Sequence, residues 1–416
     1  MKLSISLKSG AALCAIALTS VSLVACSDDS NSGQNAGATK SDEDRGPITF
    51  AMGRNDTDKL TPIIEKWNEE HPDEEVTLKE LAGEADDQRD TLVQSLQAGN
   101  SDYDVMALDV VWTADFAANQ WLVPLEGDFA VDTSKLLQPT VESATYNGTL
   151  YALPQNTNGQ LLFRNVDKID SKPDTFADIT SACEAVEGDC LTTQLKQYEG
   201  LTVNTVGFMN GWGGEVLDSN GEPTVESDEA KAGLEALVNA YKDGTISKNS
   251  TSATEEETNI AFTEGTTALA INWPYMYANA KENGINFEVQ PLVGADGVGT
   301  STLGGYNNGI NVNSQHKATA HDFIQFIINE ENQRSFAEAS FPPVLASVYD
   351  DPDLIEQQPY LPALKESLEN AKPRPVSPFY PAISKAIQDN AYAALNGNKN
   401  VDEATKDMAA AIKQAQ

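Results

Sequence analysis

Residues 104–125, DVMALDVVWTADFAANQWLVPL, place a carboxylate and a large flat ring within one turn of each other. Val105 to Leu108 is a short apolar run of the kind buried on both faces of a parallel sheet. Asp109 therefore falls at the carboxyl end of a strand, where open α/β sheets put their ligand crevice, and Trp112 follows closely. A carboxylate accepts charge-assisted hydrogen bonds from hydroxyls and an indole covers the apolar face of a pyranose, so the pair suits a sugar. A helix-capping aspartate beside a core tryptophan would give the same letters.

Other candidates lie where elements stop. Residues 149–165, TLYALPQNTNGQLLFRN, read as the chain leaving one sheet for another: Pro154 breaks a strand, and a polar run from Gln155 to Gln160 precedes a fresh apolar stretch. Asn156 and Asn158 would line a cleft there, unless the run is a plain surface loop. In FMNGWGGEVL, residues 208–217, glycines around Trp212 let the backbone approach a partner and leave the indole exposed, with core packing as the alternative. Trp273-Pro274-Tyr275 ends a strand expected over 267–272. A glycine-rich loop over 294–305 leads through Gly305-Tyr306-Asn307 to a strand expected over 310–312. In Lys372-Pro373-Arg374-Pro375 the prolines hold Arg374 out of a helix and make it a fixed donor.

The elements that must position these residues begin at Ile48. A strand over 48–52 passes through the turn Gly53-Arg54-Asn55-Asp56 into a helix with Leu60, Ile63, Ile64 and Trp67 on one face, ended by His71-Pro72. A strand over 76–81, a helix around Leu92 and Leu96, and the strand before Asp109 follow. This βαβαβ order implies a parallel sheet with Asn55, Arg89 and Asp109 on or near loops at one edge. Farther on, Phe323, Ile324, Ile327 and Ile328 mark a helix over 321–339, and two amphipathic helices close the chain.

At 416 residues the chain suggests two lobes. Its formal net charge of -36 disfavours nucleic acid, anionic lipid and anionic substrates, and leaves a neutral ligand as the easiest partner. Lys2 and Lys8 precede an apolar run over 11–25, the pattern of a signal peptide. Leu23-Val24-Ala25-Cys26 resembles a lipobox, with Cys26 the lipid-modified residue; an ordinary secretory signal is the alternative. Residues 27–46 are a polar tether. Cys183 and Cys190 enclose EAVEGD and form either a small disulfide loop or a pair of free thiols. No metal or cofactor signature is present: there is no G-x-S-x-G, no Walker loop and no H-E-x-x-H.

The segments already quoted, together with GGYNNGINVNSQHKATAHDFIQFI and KPRPVSPFYPAISKAIQDNAYAAL, resemble the family 1 extracellular solute-binding proteins of ABC importers, and among them the trehalose/maltose-type sugar binders. The resemblance implies an α/β, two-lobed periplasmic-binding-protein-like fold with a hinge and an interlobe ligand cleft. Residues 1–25 would be the signal peptide and 26–46 the anchor and tether. One lobe would hold 47–157 plus 306–345, the other 158–305 plus 346–416. Asp109 looks like the carboxylate that grips sugar hydroxyls, with Arg89 and Arg374 as its guanidinium partners. Trp273 and Tyr275 look like a stacking platform. Gly305 and Tyr306 stand where the family often has glycine and tryptophan, and Asn158 where related binders carry aspartate. The implied protein is a monomer, palmitate-anchored on the extracellular face of the cytoplasmic membrane, that hands a neutral sugar to permease subunits and needs no cofactor. A secreted glycoside hydrolase would need two opposed carboxyl groups, and a peptide binder would need partners for two charged termini.

Overall fold

The computed structural model describes Ser41 and residues 44–218 and 220–416. The leader, Cys26 and most of the expected tether lie outside the described residues. Strands β1 (Ile48–Gly53), β2 (Val76–Leu81) and β3 (Val105–Asp109) alternate with helices Thr57–Glu70 and Ala85–Gln97. The apolar run of β3 is buried, as a strand covered on both faces must be. After a short hairpin of β4 (Thr145–Tyr146) and β5 (Thr149–Leu150) come β6 (Ala152–Asn158), β7 (Leu161–Asn165), β8 (Leu191–Thr192), β9 (Leu269–Asn272), β10 (Phe287–Pro291) and β11 (Gly304–Ile310).

These strands form two main sheets, one per lobe. The first runs β2-β1-β3-β11-β6, and the second β10-β7-β9-β8. β1, β2 and β3 are parallel, while β11 inserts antiparallel between β3 and β6 and sets Tyr306 beside Asp109 on one side and Asn156 on the other. Phe50, Met52, Trp67 and Phe323 fill one face of the first sheet; Ala51, Leu92, Leu108 and Phe116 fill the other. Leu162, Leu201, Leu234, Ile387 and Met408 make the core of the second lobe.

The chain passes between sheets through segments that lie side by side. Only Gly159 and Gln160 separate β6 from β7. The Gln160 amide donates to Ser301 Oγ at 2.7 Å, Ser367 Oγ donates to the Gln160 carbonyl at 2.8 Å, and Lys372 N–H donates to the Ser301 carbonyl at 2.9 Å. Three crossing segments are thus laced by backbone-directed bonds, a hinge of narrow cross-section. β6 runs to Asn158 and β11 starts at Gly304.

Three expectations are corrected. The Gly304–Gly309 stretch is strand, not loop: Gly305 sits at φ +123°, and a Cβ there would lie 2.4 Å from the Asn156 carbonyl oxygen, so glycine is what lets β11 close against β6 across a bulge. The helix expected over 321–339 is two, Lys317–Ile327 and Glu330–Glu338, because Asn329 turns its side chain to cap the second. Pro154 does not break a strand: β6 runs through it from Ala152 to Asn158, with the proline beside the bulge in its pairing with β11. Cys183 and Cys190 are joined by a disulfide.

Candidate ligand-binding site

The carboxyl ends of β1 and β3 and the start of β11 face the ends of β8 and β9 across a cavity of about 790 Å³ counted to its open mouth. Asn55, Asp56, Gln88 and Asp109 line it from the first lobe, and Tyr198, Glu199, Glu255, Trp273 and Tyr275 from the second. Asn158, Gly304, Gly305 and Tyr306 supply the wall between the lobes, and Arg374 enters from the third crossing segment.

Asp109 ends β3, and its Oδ1 accepts from the Val111 amide at 3.2 Å and from Arg374 Nη2 at 2.9 Å. Arg374 Nη1 donates to Glu199 Oε1 at 2.6 Å, so one guanidinium holds a carboxylate from each lobe. Glu199 opens the helix Glu199–Gly211 and accepts in addition from the Tyr380 hydroxyl and from Ser384 Oγ. Burial pushes the Glu199 carboxyl up to about 7, against the opposing pull of Arg374. For Arg374, 3% exposed, burial alone would lower the pKa; the carboxylates of Asp109 and Glu199 outweigh it and hold the guanidinium protonated.

Asp56 stands at the turn after β1. Burial pushes its carboxyl up to about 6, with Lys59 opposing and Asp58, Glu256 and Glu255 adding to the rise. Glu255, also raised by burial, accepts from the Tyr198 hydroxyl at 2.7 Å. Trp273 follows β9 directly, and a Cβ at Gly304 would come 3.0 Å from its indole carbons, so the missing side chain there makes room for the ring. Lys196 of the second lobe and Glu84 of the first pair across the opening at 2.5 Å.

Eight of the residues singled out from sequence meet at this cavity: Asn55, Asp109, Asn158, Trp273, Tyr275, Gly305, Tyr306 and Arg374. The others do not. Arg89 lies inside helix Ala85–Gln97 and turns a terminal nitrogen to Asp115, away from the cavity lining. Trp112, 3% exposed, is a core residue stacked on Phe116. Asn156 is buried within β6 and donates to the Thr157 carbonyl. Trp212 stacks on Phe208 and meets Phe176 edge-on inside the second lobe, over a separate apolar recess. Asn307 is buried and donates to Thr113 and Ser143 hydroxyls. Sequence reasoning missed Asp56, Gln88, Tyr198, Glu199, Glu255 and Phe341. Asp56 had a signal, being in the same turn as Asn55; Glu199 had none.

The chain matches the family described as bacterial extracellular solute-binding protein over residues 63–363. The chain belongs to that family. Its members are solute-binding proteins rather than enzymes, and among the described residues no helix is long and apolar enough to cross a membrane. The chain is similar to the maltose-bound MalE3 of T. maritima, with a TM-score of 0.83 and 30% identity over 89% of this chain and 100% of that one. It is 27% identical to a probable ABC transporter-binding protein of Deinococcus radiodurans over 350 residues, 77% of this chain and 81% of the relative. With the maltodextrin-binding protein MdxE of Bacillus subtilis it shares 22% identity over 98% of this chain and 97% of that protein. The two-lobed architecture is that of the solute-binding fold.

Proposed function

We propose that this chain is the sugar-capturing component of an ABC importer, taking a di- or oligosaccharide of the trehalose or maltose kind into the cavity between its lobes and presenting it to permease subunits. The carrying observation is that carboxylates and one guanidinium, fixed by their mutual bonds, stand beside Trp273, Tyr275 and Tyr306 at the meeting of two lobes joined by a narrow hinge. Fixed polar groups replace the water a sugar loses, and any left unmatched costs about 1–3 kcal/mol, which is how such a site rejects the wrong sugar. Rings cover the apolar face. A permease touching both lobes can prefer the ligand-closed arrangement, which couples capture to delivery. The maltose-bound and maltodextrin-binding relatives support this substrate class.

The protein acts as a monomer, held by lipid on Cys26 at the extracellular face of the membrane, and returns its sugar unchanged. Against hydrolysis stands the tying of Asp109 and Glu199 to the same arginine, an arrangement that supplies hydrogen-bond acceptors and leaves neither carboxyl free to act opposite the other. Calorimetric titration with trehalose, maltose, maltotriose, sucrose and raffinose, with analysis of the sugar afterwards, tests the reading. Binding near micromolar, about −8 kcal/mol, with intact sugar recovered is expected; cleaved sugar, or no heat with any member, overturns it.

A further inference from the structure

Helix Glu330–Glu338 ends at the cavity wall in a complete Schellman motif. The Ser340 amide donates to the Ala337 carbonyl at 3.1 Å and the Phe341 amide to the Phe336 carbonyl at 2.8 Å, while the Phe336 and Phe341 rings meet edge-on with centroids 4.9 Å apart. In this motif the residue after the cap takes the left-handed conformation, and glycine is its usual occupant because an added Cβ strains the backbone there. Here the residue is Ser340, at φ +57°. Among the described residues two other non-glycine residues share that conformation, Gln120 and Asn147, and both are exposed; Ser340 is 1% exposed.

Nothing inside the protein offsets that strain. Ser340 Oγ is buried without a hydrogen-bond partner, so the hydroxyl has lost its water and gained no bond. The neighbouring Tyr360 hydroxyl donates to the Ala337 carbonyl at 2.9 Å and does not meet Ser340 Oγ in bonding geometry. Ser340, Phe341 and Pro342 line the interlobe cavity in company with Asn158 and Trp273. The segment is fixed at both ends: the Schellman bonds hold it to its helix, and the Pro342 carbonyl accepts from the Thr157 amide of β6 at 2.9 Å. A serine hydroxyl both donates and accepts, as a sugar hydroxyl does, so the two can satisfy each other. We propose that Ser340 is a ligand-contacting residue of this site, its hydroxyl exchanging a hydrogen bond with a hydroxyl of the captured sugar. The inference rests on the sugar-capture reading and adds to it a contact that glycine, the residue best suited to the helix end, could not make. Backbone strain of this kind persists where the surrounding structure enforces it, and it gathers at binding sites.

The test is a pair of variants of the full chain, Ser340→Gly and Ser340→Ala, each titrated calorimetrically with trehalose, maltose, maltotriose, sucrose and raffinose and each melted under circular dichroism. Both lack the hydroxyl, so both are expected to hold the sugar that the parent binds about three- to tenfold more weakly. Stability should move the other way in one of them. Glycine relieves the left-handed strain and should raise the melting temperature by about 1–3 °C, whereas alanine keeps the strain and should not. Weaker binding by a protein that melts higher is a result that a purely structural role for Ser340 cannot give. Affinity within twofold of the parent in either variant, or a glycine variant that melts no higher than the parent, overturns the inference and leaves the sugar reading standing. A parent that binds none of these sugars overturns both.

Discussion

Asp109 and Glu199, carboxylates from opposite lobes, are held by the same guanidinium: Arg374 reaches the first at 2.9 Å and the second at 2.6 Å. One side chain on the third crossing segment therefore ties the end of a first-lobe strand to the start of a second-lobe helix, at the floor of the cavity.

Arg374→Met leaves two largely buried carboxylates without their cation, and about 3–5 kcal/mol of stability should be lost. Urea unfolding followed by circular dichroism reads it as a fall in midpoint. Lys413→Ala, which breaks the exposed pair with Glu222, should by contrast move stability by less than about 1 kcal/mol, since both partners are well solvated. Equal losses in the two variants would contradict the buried role of Arg374.

The folded Glu199 carboxyl holds its proton more tightly than the ordinary value of 4.5, being pushed up to about 7 chiefly by burial. Its contribution is therefore complete below about pH 4.5 and lost as pH rises to about 7. In Glu199→Gln that loss is absent, so the stability of the variant relative to the parent should climb with pH by up to about 1.4 kcal/mol per unit across this interval and then level off. A difference that stays flat from pH 4.5 to 7 would show the carboxyl titrating normally.

Trp273→Ala removes the ring that lies over Gly304 at the cavity wall. Sugar affinity should drop by at least about tenfold, the stacking and apolar cover being worth roughly 1.5 kcal/mol or more. The far-ultraviolet spectrum and melting temperature should hold, because the indole faces the cavity and not a core. Unchanged affinity in a folded variant would remove Trp273 from the site.

Gly305→Ala sets a methyl group 2.4 Å from the Asn156 carbonyl oxygen at φ +123°, a conformation only glycine adopts freely. About 2 kcal/mol or more should be lost, read by thermal or urea unfolding. Gly99→Ala, also at positive φ but with nothing within 4 Å of the added carbon, should cost less. The difference between the two isolates the clash.

Much of the frame was legible. The alternation of β1, β2 and β3 with amphipathic helices carries its period in the letters, and Asp109 follows because the buried run of β3 ends there. Arg374 was legible because prolines on either side forbid a helix. Trp112 and Trp273 show the limit. Both follow a strand end, and only the course of the next turn decides whether the ring folds under Phe116 or stands over Gly304. Arg89 sits on the right helix but turns to Asp115, a partner 26 positions away that no local pattern announces. Glu199 was invisible for a different reason: its helix is buried on nearly every side, so it has no polar and apolar faces to betray it, and its carboxylate gains meaning only from Arg374, Tyr380 and Ser384 far along the chain. Tyr306, in a glycine-rich strand read as a loop, entered the site only through the resemblance to sugar binders that carry glycine and an aromatic there.

The insertion of β11 between β3 and β6 carries a consequence for biosynthesis. β3 is complete when residue 109 has been made, yet its neighbour on that side is supplied by residues 304–310. At about 5–20 residues per second, a ribosome needs roughly 10–40 s to cover the distance. Until then the first sheet is a three-stranded fragment with a raw edge, and the second sheet, made in the interval, has no finished lobe to dock against. Closure of the first lobe is therefore a late, long-range event that must wait for β11.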